Sequence, residues 1–310
     1  MLKDPGKHIG DTWYYIEENI CHCFYLTCPD TQPRHQCWDI AHATSRDLIH
    51  WTKHGIVIPK GQDGEWDCSC LSTGSVIRFD NRYWMAYSGK WDGEIVQIGL
   101  AVSDDLHTWK KCNWNPVCKP DGELYAKRGR GVRTFCHWRD PFLFNDHGTV
   151  YMLTCATHPD APADGCGTVG ICCTEDMRNW RLLPPIEIEP IAQELECPQI
   201  LQIEDRYILL FSCYEKLFCH RLQQKYGAAL RQTSYYMTSN HRWGPYQFEE
   251  QLQLLPMYET DRNRSVQYAN RLIQFKSRWF LMGTVWSEQG DYIADPMEYS
   301  LLDGKLCLNK

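Results

Sequence analysis

Three acidic residues, Asp11, Asp140 and Glu196, each stand at the mouth of an aromatic or apolar strand, although 185 residues separate the first from the last. Asp11 precedes Trp13-Tyr14-Tyr15, Asp140 lies in Trp138-Arg139-Asp140-Pro141-Phe142-Leu143-Phe144, and Glu196 opens Glu196-Cys197-Pro198-Gln199-Ile200-Leu201. Carboxyl groups gathered at one point repel one another and shift each other's ionisation unless a cation such as Arg139 offsets them. Such a gathering is costly for a purely structural hub. It suits cleavage of a glycosidic bond, where one carboxylic acid protonates the leaving oxygen and a second carboxylate attacks or stabilises the carbon.

That chemistry requires a scaffold that brings distant strands to one place, and the sequence repeats itself accordingly. The hairpin after Asp140 runs from Phe142-Leu143-Phe144 through Asn145-Asp146-His147-Gly148 into Val150-Tyr151-Met152-Leu153, and Pro141 marks the start of its first strand. Equivalent hairpins begin near Thr73, Glu196 and Ala269, with a weaker copy near Asp11. A second unit follows the first four hairpins: Ser45-Arg46-Asp47-Leu48-Ile49-His50-Trp51, Ser103-Asp104-Asp105-Leu106-His107-Thr108-Trp109, Thr174-Glu175-Asp176-Met177-Arg178-Asn179-Trp180 and the looser Ser239-Asn240-His241-Arg242-Trp243. The tryptophans are 58, 71 and 63 residues apart. Self-similarity on this scale, built from strands alone, predicts an all-β, five-bladed propeller with four antiparallel strands per blade. The innermost strands of a propeller converge on a central channel. Asp11, Asp140 and Glu196 are therefore expected in one cavity, with Thr73 and Asn270 at the two remaining strand starts.

Composition narrows the classes. The 310 residues carry a net charge of -7 and no basic stripe, which argues against nucleic acid as a partner. No run of 18 apolar residues is present, and Met1-Leu2-Lys3-Asp4-Pro5 begins no signal peptide, so no membrane partner and a cytoplasmic location are expected. The 17 cysteines are odd in number and often alternate within strands, as in Cys21-His22-Cys23 and Cys68-Ser69-Cys70. They read as reduced, buried thiols. Cys21-His22-Cys23 and Cys172-Cys173 lack a matching ligand pair, so neither a metal nor another cofactor is expected. An insert over residues 111–137 carries Lys127, Arg128, Arg130 and Arg133 and reads as a solvated loop; residues 215–231 read as a short helix.

Trp138-Arg139-Asp140-Pro141, Glu196-Cys197-Pro198 and Ala41-His42-Ala43-Thr44-Ser45-Arg46-Asp47-Leu48-Ile49-His50-Trp51 together resemble the motifs of glycoside hydrolase family 32, the β-fructofuranosidases, which is related to families 43, 62 and 68. The resemblance implies an oligosaccharide or small glycoside substrate, Asp140 as transition-state stabiliser with Arg139 beside it, and Glu196 as acid/base. Glu194 shares a strand face with Glu196, but the following Cys-Pro favours Glu196. The family's Asn-Asp-Pro-Asn-Gly motif is missing. Asp4-Pro5-Gly6 and Gly10-Asp11-Thr12 are partial matches, and strand register selects Asp11 as nucleophile. A single domain over 1–310 leaves no room for a C-terminal β-sandwich, a departure shared with families 43 and 68. Trp66, Asp67 and His42 are candidate pocket residues, and Trp66, Trp138 or Trp286 candidate stacking walls. A family 43-like inverting arabinofuranosidase or xylosidase, a phosphorylase or transferase, and a binding propeller with an inert channel are the alternatives.

Overall fold

A computed structural model describes residues 1–34, 36–90, 96–248, 266–302 and 305–309. It is a five-bladed β-propeller. The innermost strands are Lys7–Glu17, Cys70–Phe79, Arg139–Asp146, Glu196–Ile203 and Val266–Phe275. Each pairs antiparallel with the next strand in sequence, and the first three blades have four strands in simple meander order. In the fourth blade three strands are followed by a bridge from Thr238 to Gln247, beyond which residues 249–265 lie outside the described residues. The fifth blade also holds the N-terminal Leu2–Lys3, which pairs with Tyr292–Ile293 and closes the ring.

Packing explains the strand sequences. One apolar cluster fills each interface between neighbouring blades. A middle strand is thus buried on both faces and reads as a nearly continuous apolar run. Along Ile20–Pro29, Cys21, Cys23 and Tyr25 face the fifth blade, whereas Phe24, Leu26 and Cys28 face the second. The alternating cysteines are small core residues on opposite sides of one strand. Twelve of the 17 are buried, and all are free thiols.

The repeated Ser-Asp unit is a turn with a defined mechanism. Ser45 Oγ accepts the Leu48 amide at 2.8 Å, and Asp47 Oδ1 accepts those of Ile49 and His50 at 2.9 and 2.8 Å. Asp105 and Asp176 repeat the arrangement with 107–108 and 178–179. Leu48, Leu106 and Met177 bend back at φ 66°, 66° and 60°, and each is buried. Trp51 and Trp109 then donate to the carbonyls of Leu48 and Leu106, fixing where the outermost strand begins. Residues 215–231 contain the expected helix, His220–Tyr226, flanked by single 3-10 turns. No helix among the described residues is long and apolar enough to cross a membrane.

Every innermost strand bulges at the same level. Two residues oppose one at Gly10-Asp11, at Asp140-Pro141, at Cys197-Pro198 and at Ala269-Asn270, and Thr73 is the extra residue in the second blade. Bulges re-aim side chains and interrupt the ladder, so a proline is tolerated there. Pro141 and Pro198 therefore sit within their strands at bulges, and Pro141 does not begin its strand. Just past the second bulge, a Cβ on Gly74 would lie 2.5 Å from the Ala86 carbonyl oxygen and 3.1 Å from the Trp13 ring. Gly74→Ala should accordingly destabilise the protein by about 3 kcal/mol, read as a lowered midpoint of chemical denaturation; an unchanged midpoint would contradict this close approach.

Candidate active site

The bulges surround one end of the channel, where a cavity of about 220 Å³ is lined by Asp11, Asp140 and Glu196 together with Thr73, Arg139 and Arg133. The carboxylates hold three different positions relative to their bulges. Glu196 stands just before one, Asp140 is the first residue of another, and Asp11 the second residue of a third. Asp140 and Cys197 adopt φ of 58° and 51°, so the chain turns sharply beneath both. This conformation lets the Cys197 amide donate to Asp140 Oδ2 at 3.1 Å, while the Asp140 amide donates to Ser88 Oγ at 2.9 Å. Cys197 also places its thiol 3.8 Å from Asp11 Oδ2, and Thr73 donates its hydroxyl to that same oxygen. One residue thereby ties three blades together at the channel mouth.

Glu196 is held from both sides. Tyr268 donates its hydroxyl to Oε2, and Arg139 Nη2 donates to Oε1 at 2.6 Å. Arg139 also binds Glu194 Oε2 at 2.7 Å, and Arg133 reaches Glu194 and Glu196 at 2.9 and 3.3 Å. Glu194 is buried behind the arginines and does not line the cavity, whereas Glu196 does. Arg139 Nη1 donates to His137 Nδ1 at 2.8 Å; burial and the adjacent guanidinium push that imidazole down to about 3, so it is neutral. Arg271, buried beneath the site, donates to the carbonyls of Cys197 and Pro198 at 2.7 and 3.0 Å.

Burial sets the ionisation of the three carboxyls. It raises Asp11 to about 6, reinforced by the Asp140 and Glu196 charges and opposed by the Thr73 hydroxyl. Asp140 is likewise raised by burial, against the pull of Arg139. Glu196 is raised by burial first, with Arg139 opposing and Glu194 reinforcing. Two carboxyls in contrasting settings, one near a hydroxyl and one between a phenol and a guanidinium, can divide the roles of base and acid.

Of the other sequence candidates, Thr73, Arg139 and Trp286 line the cavity. Trp66, Asp67, His42 and Asn270 do not. Trp66 lies over Gly89 and Gly99, two positions where any Cβ would strike its ring. Asp67 is buried against Tyr87 and Lys111, accepting from the latter at 2.7 Å. His42 sits on the third strand of its blade, two strands out from the channel, stacked on Phe24 at 4.6 Å. Asn270 turns away into bonds with Ser234 and Gln267. Trp138 packs inside against Tyr125 at 5.0 Å. Arg133 leaves the solvated loop expected for its insert and stacks on Tyr214 at 5.0 Å beside Glu196. Trp38, Lys90, Phe135, Tyr214 and Tyr268 also line the walls. Alignment of the innermost strands on their bulges places Tyr268 level with Glu196 and Arg139, a signal present in the repeat itself.

A five-bladed propeller with three carboxylates and two arginines at the channel mouth defines a class of glycoside-processing scaffolds. Residues 11–298 match the Glycosyl hydrolases family 32 N-terminal domain, and the chain belongs to that family. It is 25% identical over 220 residues to a sucrose-6-phosphate hydrolase of Lactococcus lactis subsp. lactis, a match covering 68% of this chain and 41% of that protein. The chain thus matches about two fifths of such relatives' length. Its fold is similar to the inulosucrase of Halalkalicoccus jeotgali bound to kestose, at TM-score 0.76 and 20% identity, over 98% of this chain and 87% of that one. It is also similar to the sucrose-6-phosphate hydrolase of Lactobacillus gasseri, at TM-score 0.75 and 17% identity, over 97% and 60%.

A charge disfavoured by burial has a stability consequence. Asp11 is raised in the fold from 3.8 to about 6, so folding favours its protonated form. The cost is absent below the unfolded value and fully present above the folded one. Asp11→Asn should therefore be more stable than the parent at pH 8, by up to about 2–3 kcal/mol, and the advantage should vanish near pH 4. Paired denaturation curves at the two pH values check this; a variant less stable at pH 8 would refute it.

Proposed function

We propose that this chain is a retaining glycoside hydrolase that removes terminal β-fructofuranosyl residues, with Asp11 as nucleophile, Glu196 as acid/base and Asp140 as transition-state stabiliser. The observation that carries it is the convergence of these three carboxylates, from three blades of a family 32 chain, on one cavity. At neutral pH Asp11, raised to about 6, is mostly ionised and available to attack the anomeric carbon. The Thr73 hydroxyl steadies one of its oxygens and leaves the other for attack. Glu196, raised by burial, gives its proton to the departing oxygen and then takes one from the water that releases the sugar. Tyr268 and Arg139 hold its carboxyl in place through both halves of the cycle. Asp140 has one oxygen on the Cys197 amide, and the other accepts from sugar hydroxyls. Trp38, Trp286 and Tyr214 offer aromatic faces to the ring.

The propeller supplies every one of these groups, which supports residues 1–310 acting as one catalytic unit. A phosphorylase on this scaffold is disfavoured, because two arginines of the 111–137 insert that could meet a phosphate are engaged: Arg133 with Glu194 and Glu196, Arg130 with the Ala161 carbonyl at 2.7 Å. An inert binding hub is disfavoured by the buried like charges. The relatives' name points to a phosphorylated glycoside, and Lys90 on the cavity wall is a cation such a substrate would meet. Free thiols fit a reducing compartment, which supports a cytoplasmic location.

Glu196→Ala should lose roughly 10²–10⁴-fold on sucrose but much less on fructosides with good leaving groups, whereas Asp11→Ala should fail on both. Equal losses on both substrate types in the Glu196 variant would sink the acid assignment. Because Asp11 must be ionised, kcat/KM should fall with acid through about pH 6, the value that burial gives this carboxyl; an acid limb centred near pH 4 would remove Asp11 from the role. NMR of the first-formed anomer should show retention. Initial inversion would favour the arabinofuranosidase-like or xylosidase-like alternative.

A further inference from the structure

Away from the cavity, four histidines gather where the first blade meets the second. His22, His42 and His54 lie on three neighbouring strands of the first blade, and His107 belongs to the Ser-Asp turn of the second. The rings of His42 and His54 are 4.8 Å apart, those of His42 and His107 4.9 Å, and those of His54 and His107 4.8 Å. One ring nitrogen from each of these three lies within 4.8 Å of the other two. His22 stacks behind His42, and its Nδ1 engages His42 Nε2 at 3.1 Å. That leaves His42 Nδ1, which is fully buried and has no hydrogen-bond partner. A buried ring nitrogen without a partner is a feature that folded proteins ordinarily avoid.

We propose that His42, His54 and His107 bind a divalent transition-metal ion of the zinc type, which clamps the first blade to the second. Neutral imidazole is the ligand form that such ions require, and it suits zinc, cobalt, nickel and copper. Asp105 acts on His42 and Glu17 on His22, and both add negative charge that favours a cation. His22 orients His42 from behind, the kind of outer contact that fixes a metal-ligating ring. His54 and His107 are exposed, so they can swing inward until each nitrogen is about 2.1 Å from the ion. Three protein ligands leave a further position for water. The cysteines named from the sequence are not among these ligands, and the three histidines come from separate elements that only the fold brings together.

The test begins with protein stripped by a chelator and titrated with Co²⁺, followed by Zn²⁺. One equivalent of Co²⁺ should give visible d–d bands without sulfur-to-cobalt charge transfer, and Zn²⁺ should displace it and raise the Tm. His54→Ala and His107→Ala, both at exposed positions, should each weaken binding by at least about tenfold and abolish the Tm rise. His50→Ala, also exposed but bonded only within its own turn, should change neither. Undiminished binding in both cluster variants, a thiolate charge-transfer band, or no uptake at equimolar ion would overturn the proposal. Because the readouts are spectral and thermal, they stand apart from the fate of the proposed hydrolase activity.

Discussion

The propeller is organised around a balance of buried charge. Asp11, Asp140, Glu194 and Glu196 come from three blades into one low-dielectric channel, and Arg133, Arg139 and Arg271 come in to meet them. Without the arginines, the carboxyls would be driven to protonate or to separate. Arg139 is central, since it touches Glu194, Glu196 and His137 at once and lies 3.6 Å from Asp140. Glu194 is best understood as a counterion. It occupies the inward side of both Arg133 and Arg139, so those cations are fixed without consuming the cavity side of Glu196. The arrangement keeps one carboxyl accessible by giving the arginines a second, inaccessible one.

Backbone geometry is the other half of the constraint. A regular strand would alternate its side chains between blade faces and aim few of them along the channel. A bulge at the same level in all five innermost strands changes that direction and frees an amide. At Cys197 the freed amide is used on Asp140, so a backbone irregularity in one blade positions an acidic side chain from the next. Cys197-Pro198 and Asp140-Pro141 have the same grammar: a residue with positive φ followed by a residue that has no amide to satisfy.

The fold was legible because its repeating parts are chemically explicit. Ser, Asp and Trp at fixed offsets specify a turn whose acceptors, bend and closing tryptophan can each be named, and three copies suffice to show a period. Asp140 and Glu196 were legible for the related reason that proline marks their bulges. Trp66, Asp67 and Asn270 stand near strand starts and His42 within a motif, and neither fact settles whether a side chain faces the channel, the next blade or an outer strand. The bulges shift that direction by one residue, and neither Gly10-Asp11 nor Ala269-Asn270 carries the proline that would announce it. Arg133 lies in an insert with no period at all. Its ion pairs depend on where the insert folds back, which no local rule encodes.

The pairing of Leu2–Lys3 with Tyr292–Ile293 joins segments about as far apart in sequence as this chain permits. Thr284 donating to the Gly10 carbonyl at 2.5 Å and Trp286 donating to that of Ile9 extend the same seam. Contacts of such separation are the slowest to form, because loop-closure entropy must be overcome before they give any return. During synthesis, the first four blades can assemble as an open arc while one flank, with Ile9, Cys21, Cys23 and Tyr25, still awaits the fifth. That flank is apolar and bears reduced thiols, the kind of surface that aggregates or cross-links if it waits too long. The last blade acts as a latch, since this flank is covered only when the fifth blade packs against the first.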